Sequence, residues 1–292
     1  MKNKKFYIAV ALSAAACLSA CKSNPKQGGQ DNTETATKAV NVVTTDSITF
    51  NDKGEGYSCQ VKVDYPNGNA SLDKATRQFI VETLAQMGPM SGMNPDEKKP
   101  EYKGDMSDGK AALKYFGEKY GKCLKSGYDD IKEYNEGSEA PMPHSYEVGI
   151  RKAYDANKFL TYEVTSYTYL GGAHGSSTNY QVNIDKETAK IVEQTIDTTK
   201  TKEMQPLLRK GVIEYFKECG EDISDDKLND MLFIDNNTIP MPAFQPALTE
   251  KGLRFMYQQY EIGPYAIGIV SFTVPYDKIK TFMTKEALKL IE

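Results

Sequence analysis

The chain has 292 residues, with 36 Lys plus Arg against 40 Asp plus Glu, a formal net charge of -4, 19 Tyr and no Trp, which is room for one or two domains with buried cores. That charge balance excludes a nucleic-acid protein, which needs a concentrated excess of cations against phosphate, and a mean hydropathy of -0.56 excludes a multi-span membrane protein. Only two histidines occur, His144 and His174, so a multi-histidine metal site is ruled out, and neither a metal nor a cofactor is expected.

Residues 1–21 carry Lys2, Lys4 and Lys5, then an apolar run from Phe6 to Leu18, then small residues before Cys21. This is the n-region and h-region of a signal peptide, too short for a comfortable membrane-spanning helix. The run Leu18-Ser19-Ala20-Cys21 resembles the lipobox of bacterial lipoproteins, which implies cleavage after residue 20 and lipidation of Cys21, with membrane lipid as the partner of that cysteine. Several acyl chains together give stable anchoring. Lys22 follows the cysteine in place of an inner-membrane retention aspartate, so a lipid-anchored location in the cell envelope, at the outer membrane of a Gram-negative host, is expected. Loss of residues 1–20 lowers the basic count from 36 to 33 against 40 acids, a mature net charge of -7.

Residues 22–46 hold no aromatic side chain and balance three lysines against three acids. They are expected to be a tether, with a flexible-coil reach of roughly 25 to 30 Å. From Ser47, Ile48 and Phe50 alternate, and Tyr57, Cys59, Val61, Val63 and Tyr65 repeat every second residue up to Pro66, the pattern of a strand pair. Ser71 opens a helical pattern through Leu72, Ala75, Phe79, Ile80, Leu84 and Met87, with the serine as expected cap. Residues 88–110 carry four Gly, three Pro and nine charges, a loop of the functional or disordered kind. Met87, Met90, Met93 and Met106 offer either an adaptable contact surface or incidental packing. Ala111 to Tyr134 returns to helical spacing, with a break expected near Gly127. Gly137 to Pro143 marks the expected boundary between an N-terminal α+β domain (47–140) and a C-terminal one (141–292).

Beyond it, Tyr146, Val148 and Ile150, then Leu160, Tyr162, Val164, Ser166 and Thr168, then Tyr180, Val182 and Ile184 alternate as a hairpin meander. A helix is expected over 201–219 and a short one over 225–232. Strands near 244–248, 253–257 and 267–274 follow, then short helices over 276–283 and 285–291. Strands and helices fall in blocks, so the fold class is α+β, antiparallel sheets packed with helices in two closely associated subdomains. With Cys17 and Cys21 set aside, Cys59, Cys123 and Cys219 are expected as small buried core residues, and three thiols allow at most one internal disulfide.

One motif stands out. Gly171-Gly172-Ala173-His174-Gly175 lies between two strands. Its glycines either let backbone N–H groups approach a ligand, with His174 as general base or ligand, or simply permit a tight inter-strand loop. With Tyr167, Tyr169 and Tyr180 nearby it is a candidate ligand-binding loop. No nucleophile elbow, His-Glu-x-x-His, Cys-x-x-Cys, Walker or EF-hand pattern occurs, although a triad built on His174 remains compatible with the sequence.

The segments 167–175 (YTYLGGAHG), 179–185 (NYQVNID), 249–257 (TEKGLRFMY), 260–266 (YEIGPYA) and Val274-Pro275-Tyr276 resemble the C-terminal extracytoplasmic domain of RsiV-type proteins, which also accompanies the deacetylase of PdaC-type proteins. The preceding part, with YSCQVKVDYP, resembles the small α+β domain that usually comes before it. The resemblance implies an extracytoplasmic module without catalysis of its own, one that in RsiV-type proteins binds lysozyme. The sequence expectation is therefore a non-enzymatic envelope binding protein, with lysozyme or peptidoglycan as possible ligand. The alternative is an envelope hydrolase using His174.

Overall fold

The computed structural model describes residues 42–90, 99–135 and 140–292, which lie in one compact unit. The expected signal peptide, Cys21, most of the expected tether, Met93 and Gly137 lie outside the described residues.

Among the described residues two sheets and six α-helices make an α+β fold. The first sheet has strands β1 (Thr45–Gly54), β2 (Tyr57–Pro66), β3 (His144–Asp155), β4 (Phe159–Tyr169), β5 (Ser176–Asp185) and β6 (Lys190–Ile191), in that spatial order. All neighbours are antiparallel except β2 and β3, which run parallel from Tyr57 opposite His144 to Val63 opposite Ile150. The all-antiparallel expectation is corrected at this one pair. A parallel partner needs a long crossover, and helices α1 (Ser71–Gln86) and α2 (Gly109–Tyr134) supply it. The expected division at 140/141 thus runs through a continuous sheet.

The first core forms where period-2 strands meet period-3.6 helices. Val61, Val63, Tyr146, Val148, Ile150, Leu160, Tyr162 and Val164 point from one face of the sheet into Phe79, Ile80 and Leu84 of α1 and Leu113, Phe116, Tyr120 and Leu124 of α2. The Tyr120 hydroxyl donates to the Leu84 carbonyl and ties the two helices.

Several local expectations shift. Residues 43–46, expected as the end of a tether, belong to the fold, because Val43 is buried and β1 starts at Thr45; a polar average over 22–46 hid the β-branched run at its end. Helix α1 is capped by the Asp73 carboxylate accepting from the Ala70 N–H at 2.9 Å, not by Ser71. Helix α2 runs unbroken through Gly127, where a Cβ would make ordinary contact with the His144 ring. The His144 Nδ1 lies 3.2 Å from the Leu124 carbonyl, and its ring meets Tyr128 edge-on. Met87 and Met106 pack on the first core as ordinary apolar side chains.

The second core surrounds the smaller sheet, β7 (Ala247–Leu248), β8 (Gly252–Tyr257) and β9 (Val270–Pro275), all antiparallel. It is covered by α3 (Gln205–Glu218), with α4 (Asp225–Met231), α5 (Tyr276–Ile279) and α6 (Lys285–Ile291) around it. The helix expected from 201 starts at Gln205, after tighter turns, with Pro206 in its first turn, where a missing N–H costs nothing. The strand expected over 244–248 shrinks to two residues as Phe244 turns to stack on Tyr180 at 4.1 Å. The strand expected from 267 begins at Val270, after a 3-10 turn and Gly268 at φ 72°.

Of the three cysteines only Cys59 is a core residue; Cys123 is half-buried and Cys219 is exposed. Cys219 caps the end of α3, where the apolar face has already turned away.

The two sheets are joined by buried polar contacts. The Leu248 carbonyl accepts from Thr161 Oγ1 at 3.1 Å and from Asn183 Nδ2 at 3.2 Å, and the Leu248 N–H donates to Asn183 Oδ1 at 2.9 Å.

Candidate functional site

The glycine motif forms the turn between β4 and β5. Gly171 and Gly172 both sit at φ +90°, and a Cβ on either would meet nothing within 4 Å. Their role is backbone conformation at the surface, since an L-residue is strained there whatever the space. Gly175 differs: a Cβ there would fall 2.5 Å from the Tyr167 ring, so the Tyr167 ring lies directly over it. The Tyr169 hydroxyl donates to the Gly172 carbonyl at 3.0 Å. Tyr167 and Tyr169 therefore brace the loop from beneath. Tyr180 leaves the loop altogether, stacking on Phe244, and burial pushes its phenol up to about 12.

His174 is exposed at the tip and is met by a second segment, residues 258–268. Gln258 and Gln259 carry that segment to the free edge of β5. The Asn179 N–H donates to Gln258 Oε1 at 3.0 Å, Gln258 Nε2 donates back to the Asn179 carbonyl at 2.8 Å, and the Ser177 N–H donates to Gln259 Oε1 at 2.8 Å. The Gln258 amide thus satisfies a strand edge as a neighbouring strand would. Glu261 pins the segment from the other side, accepting from the N–H groups of Gln258 and Ala243 at 2.6 Å each. The Tyr215 hydroxyl donates to the Ile267 carbonyl at 2.6 Å.

Held this way, Tyr265 stacks on His174 with ring centroids 3.8 Å apart and planes 22° apart. Tyr260, 57% exposed and at φ 66°, places its hydroxyl 3.3 Å from His174 Nε2. His174 Nδ1 lies 2.9 Å from the Gly175 carbonyl. A carbonyl only accepts, so Nδ1 carries the proton in this geometry and Nε2 accepts from the Tyr260 phenol. The result is a partly exposed aromatic shelf of three rings on a braced base.

Such a shelf can stack on a sugar ring or an apolar side chain while its hydroxyls and imidazole make polar contacts. Acid–base or nucleophilic chemistry would need a serine, cysteine or carboxylate within hydrogen-bond reach of the imidazole. Among the described residues the hydrogen-bond partners of His174 are a peptide carbonyl and a phenol, so the geometry gives the hydrolase alternative no support. Among the described residues no group of three or more His, Cys, Asp or Glu could hold a metal.

Of the candidate residues, the structure brings His174, Gly171, Gly172, Gly175, Tyr167 and Tyr169 into one loop. Sequence reasoning did not place Tyr260 and Tyr265 there. They stood in the segment YEIGPYA, but nothing local says that it folds onto a loop 86 residues earlier.

Residues 52–177 match the family described as "Deacetylase PdaC", and residues 175–277 match the one described as "Protein of unknown function (DUF3298)". The two meet at the glycine motif. A crystal structure of a member of the DUF3298 family from Bacteroides fragilis NCTC 9343 is similar, with a TM-score of 0.60 at 17% identity, covering 84% of this chain and 97% of that one. A DUF3298 family protein from Pseudomonas aeruginosa PAO1 is similar with a TM-score of 0.52 at 14% identity, covering 85% of this chain and 97% of that one. At such identities the likeness is one of fold. No curated protein matches the chain. The matches fit a PdaC- and RsiV-like extracytoplasmic domain. Among the described residues no helix is long and apolar enough to cross a membrane.

Proposed function

We propose that this chain, PdaC-like over 52–177 and DUF3298-like over 175–277, is a non-enzymatic binding protein of the cell envelope, anchored through lipid on Cys21 and engaging its partner with the shelf of His174, Tyr260 and Tyr265. The observation that carries the binding role is the stack of exposed His174 on half-buried Tyr265, the first on a loop braced by Tyr169 and the second on a segment fixed by Gln258 and Glu261. A rigid aromatic surface loses little entropy on binding, and aromatic rings are the residues that most often dominate interfaces. The ligand is a protein such as lysozyme, in keeping with the RsiV-type resemblance, or a cell-wall glycan.

Retention of the purified protein on immobilised lysozyme and on insoluble peptidoglycan tests the reading. Binding to one of them that His174→Ala and Tyr265→Ala abolish would support it. Retention by neither would remove both ligands, and retention unaffected by the two changes would remove the shelf. The anchor is tested separately: Cys21→Ala is expected to block acylation and release the protein from the membrane fraction.

A further inference from the structure

A cleft of about 310 Å³ opens between the two sheets, on the face of the first sheet opposite α1 and α2. Arg151, Thr161 and Gln181 on β3, β4 and β5 line its floor, and Glu163, off the lining, lies opposite both Arg151 and Gln181 in the cross-strand row. Glu163, with its side chain 7% exposed, is neutralised by Arg151 at 2.5 Å. Its wall is Arg254 and Thr273, opposite one another on β8 and β9, with Lys251 at the rim.

The charges do not balance. Arg254 is half-buried and makes no ion pair among the described residues; its one hydrogen bond runs from Nη2 to Ser271 Oγ at 3.4 Å. A guanidinium carries five N–H donors, so most of its donors are unused. Lys251 also makes no ion pair among the described residues, and the one acid on the lining, Glu250, is exposed. Gln181, 9% exposed, leaves its Oε1 buried without a partner in the floor. Tyr154 and Thr273 add hydroxyls to the lining.

We propose that this cleft is a second binding site, for a small sugar acid: a carboxylate held by Arg254 and Lys251, on a hydroxylated ring that meets the polar lining. Paired charge-assisted hydrogen bonds to a planar carboxylate are what a free guanidinium offers. The volume suits a monosaccharide, and the buried Gln181 Oε1 accepts from a sugar hydroxyl once the amide turns toward the cleft. The site is separate from the His174 shelf and does not depend on it.

The test is calorimetric titration of the purified full-length protein in detergent with glucuronate, glucose and inorganic phosphate. Glucuronate is expected to bind at least about tenfold more tightly than glucose or phosphate, and Arg254→Gln to weaken it about tenfold or more. Lys251→Gln, at an exposed position that folding does not depend on, is expected to weaken it about threefold, and His174→Ala to leave it unchanged. The proposal is overturned if glucuronate does not bind, if phosphate binds as tightly, or if binding is unchanged in Lys251→Gln and in a folded Arg254→Gln.

Discussion

The imidazole of His174 lies face to face with the phenol ring of Tyr265, 3.8 Å between centroids, and neither ring is buried. His174 is exposed, Tyr265 half-buried, and neither belongs to either core, so changing them separates binding from stability. His174→Ala and Tyr265→Ala are each expected to shift unfolding free energy by no more than about 0.5 kcal/mol while abolishing partner retention. Urea denaturation beside the pull-down checks both; a large loss of stability would mean that the pair is structural.

The glycines of the same loop act through backbone conformation. Gly171→Ala and Gly172→Ala have open space for a methyl group but force φ +90° on an L-residue. Each is expected to cost about 1 kcal/mol. Gly175→Ala should instead displace the Tyr167 ring that covers it, visible as new chemical shifts of that tyrosine. Denaturation midpoints equal to the parent for the first two would show that the loop relaxes freely.

Beneath the first sheet, Lys186, with its side chain 3% exposed, forms an ion pair with Asp155, which also meets Lys152 at 3.3 Å. Asp155→Asn strands a buried ammonium and is expected to cost about 3–5 kcal/mol. Adding Lys186→Met should recover much of that loss, because two neutral groups replace an unpaired charge. A double variant no more stable than Asp155→Asn alone would contradict this.

Alkaline pH should destabilise the fold. Burial pushes the Cys59 thiol and the Tyr65 and Tyr276 phenols up to about 12. The unfolded chain releases these protons near their ordinary values, about 8.5 for the thiol and about 10 for the phenols. Between there and pH about 12 the unfolded state binds fewer protons than the folded one, so stability falls as pH rises. The urea midpoint should hold near neutrality and decline steadily above pH about 9. For the same reason Cys59 should resist alkylation at pH about 8 while exposed Cys219 reacts, as peptide mass spectrometry would show.

Much of the architecture was legible because it is local. Alternation through Val61, Val63 and Tyr65 and through Leu160, Tyr162 and Val164 gave strands at the observed positions, and the spacing of Leu113, Phe116, Tyr120 and Leu124 gave α2. Errors came where a side chain answered to a distant partner. Gly127 read as a helix break from its residue type alone, although α2 is held on the first core throughout, and Phe244 read as strand, although it turns to stack on Tyr180 of β5.

By itself the sequence determined the α+β class and a conspicuous loop holding one of only two histidines, since each is written in periodicity or in contiguous residues. Only the tertiary structure decided that β2 and β3 pair in parallel, that residues 258–268 fold onto the β5 edge to give His174 its two tyrosines, and that Arg254 faces a cleft without a counter-ion among the described residues. Those outcomes depend on contacts between segments far apart in the chain, and local patterning fixes which face a residue shows but not what it meets there.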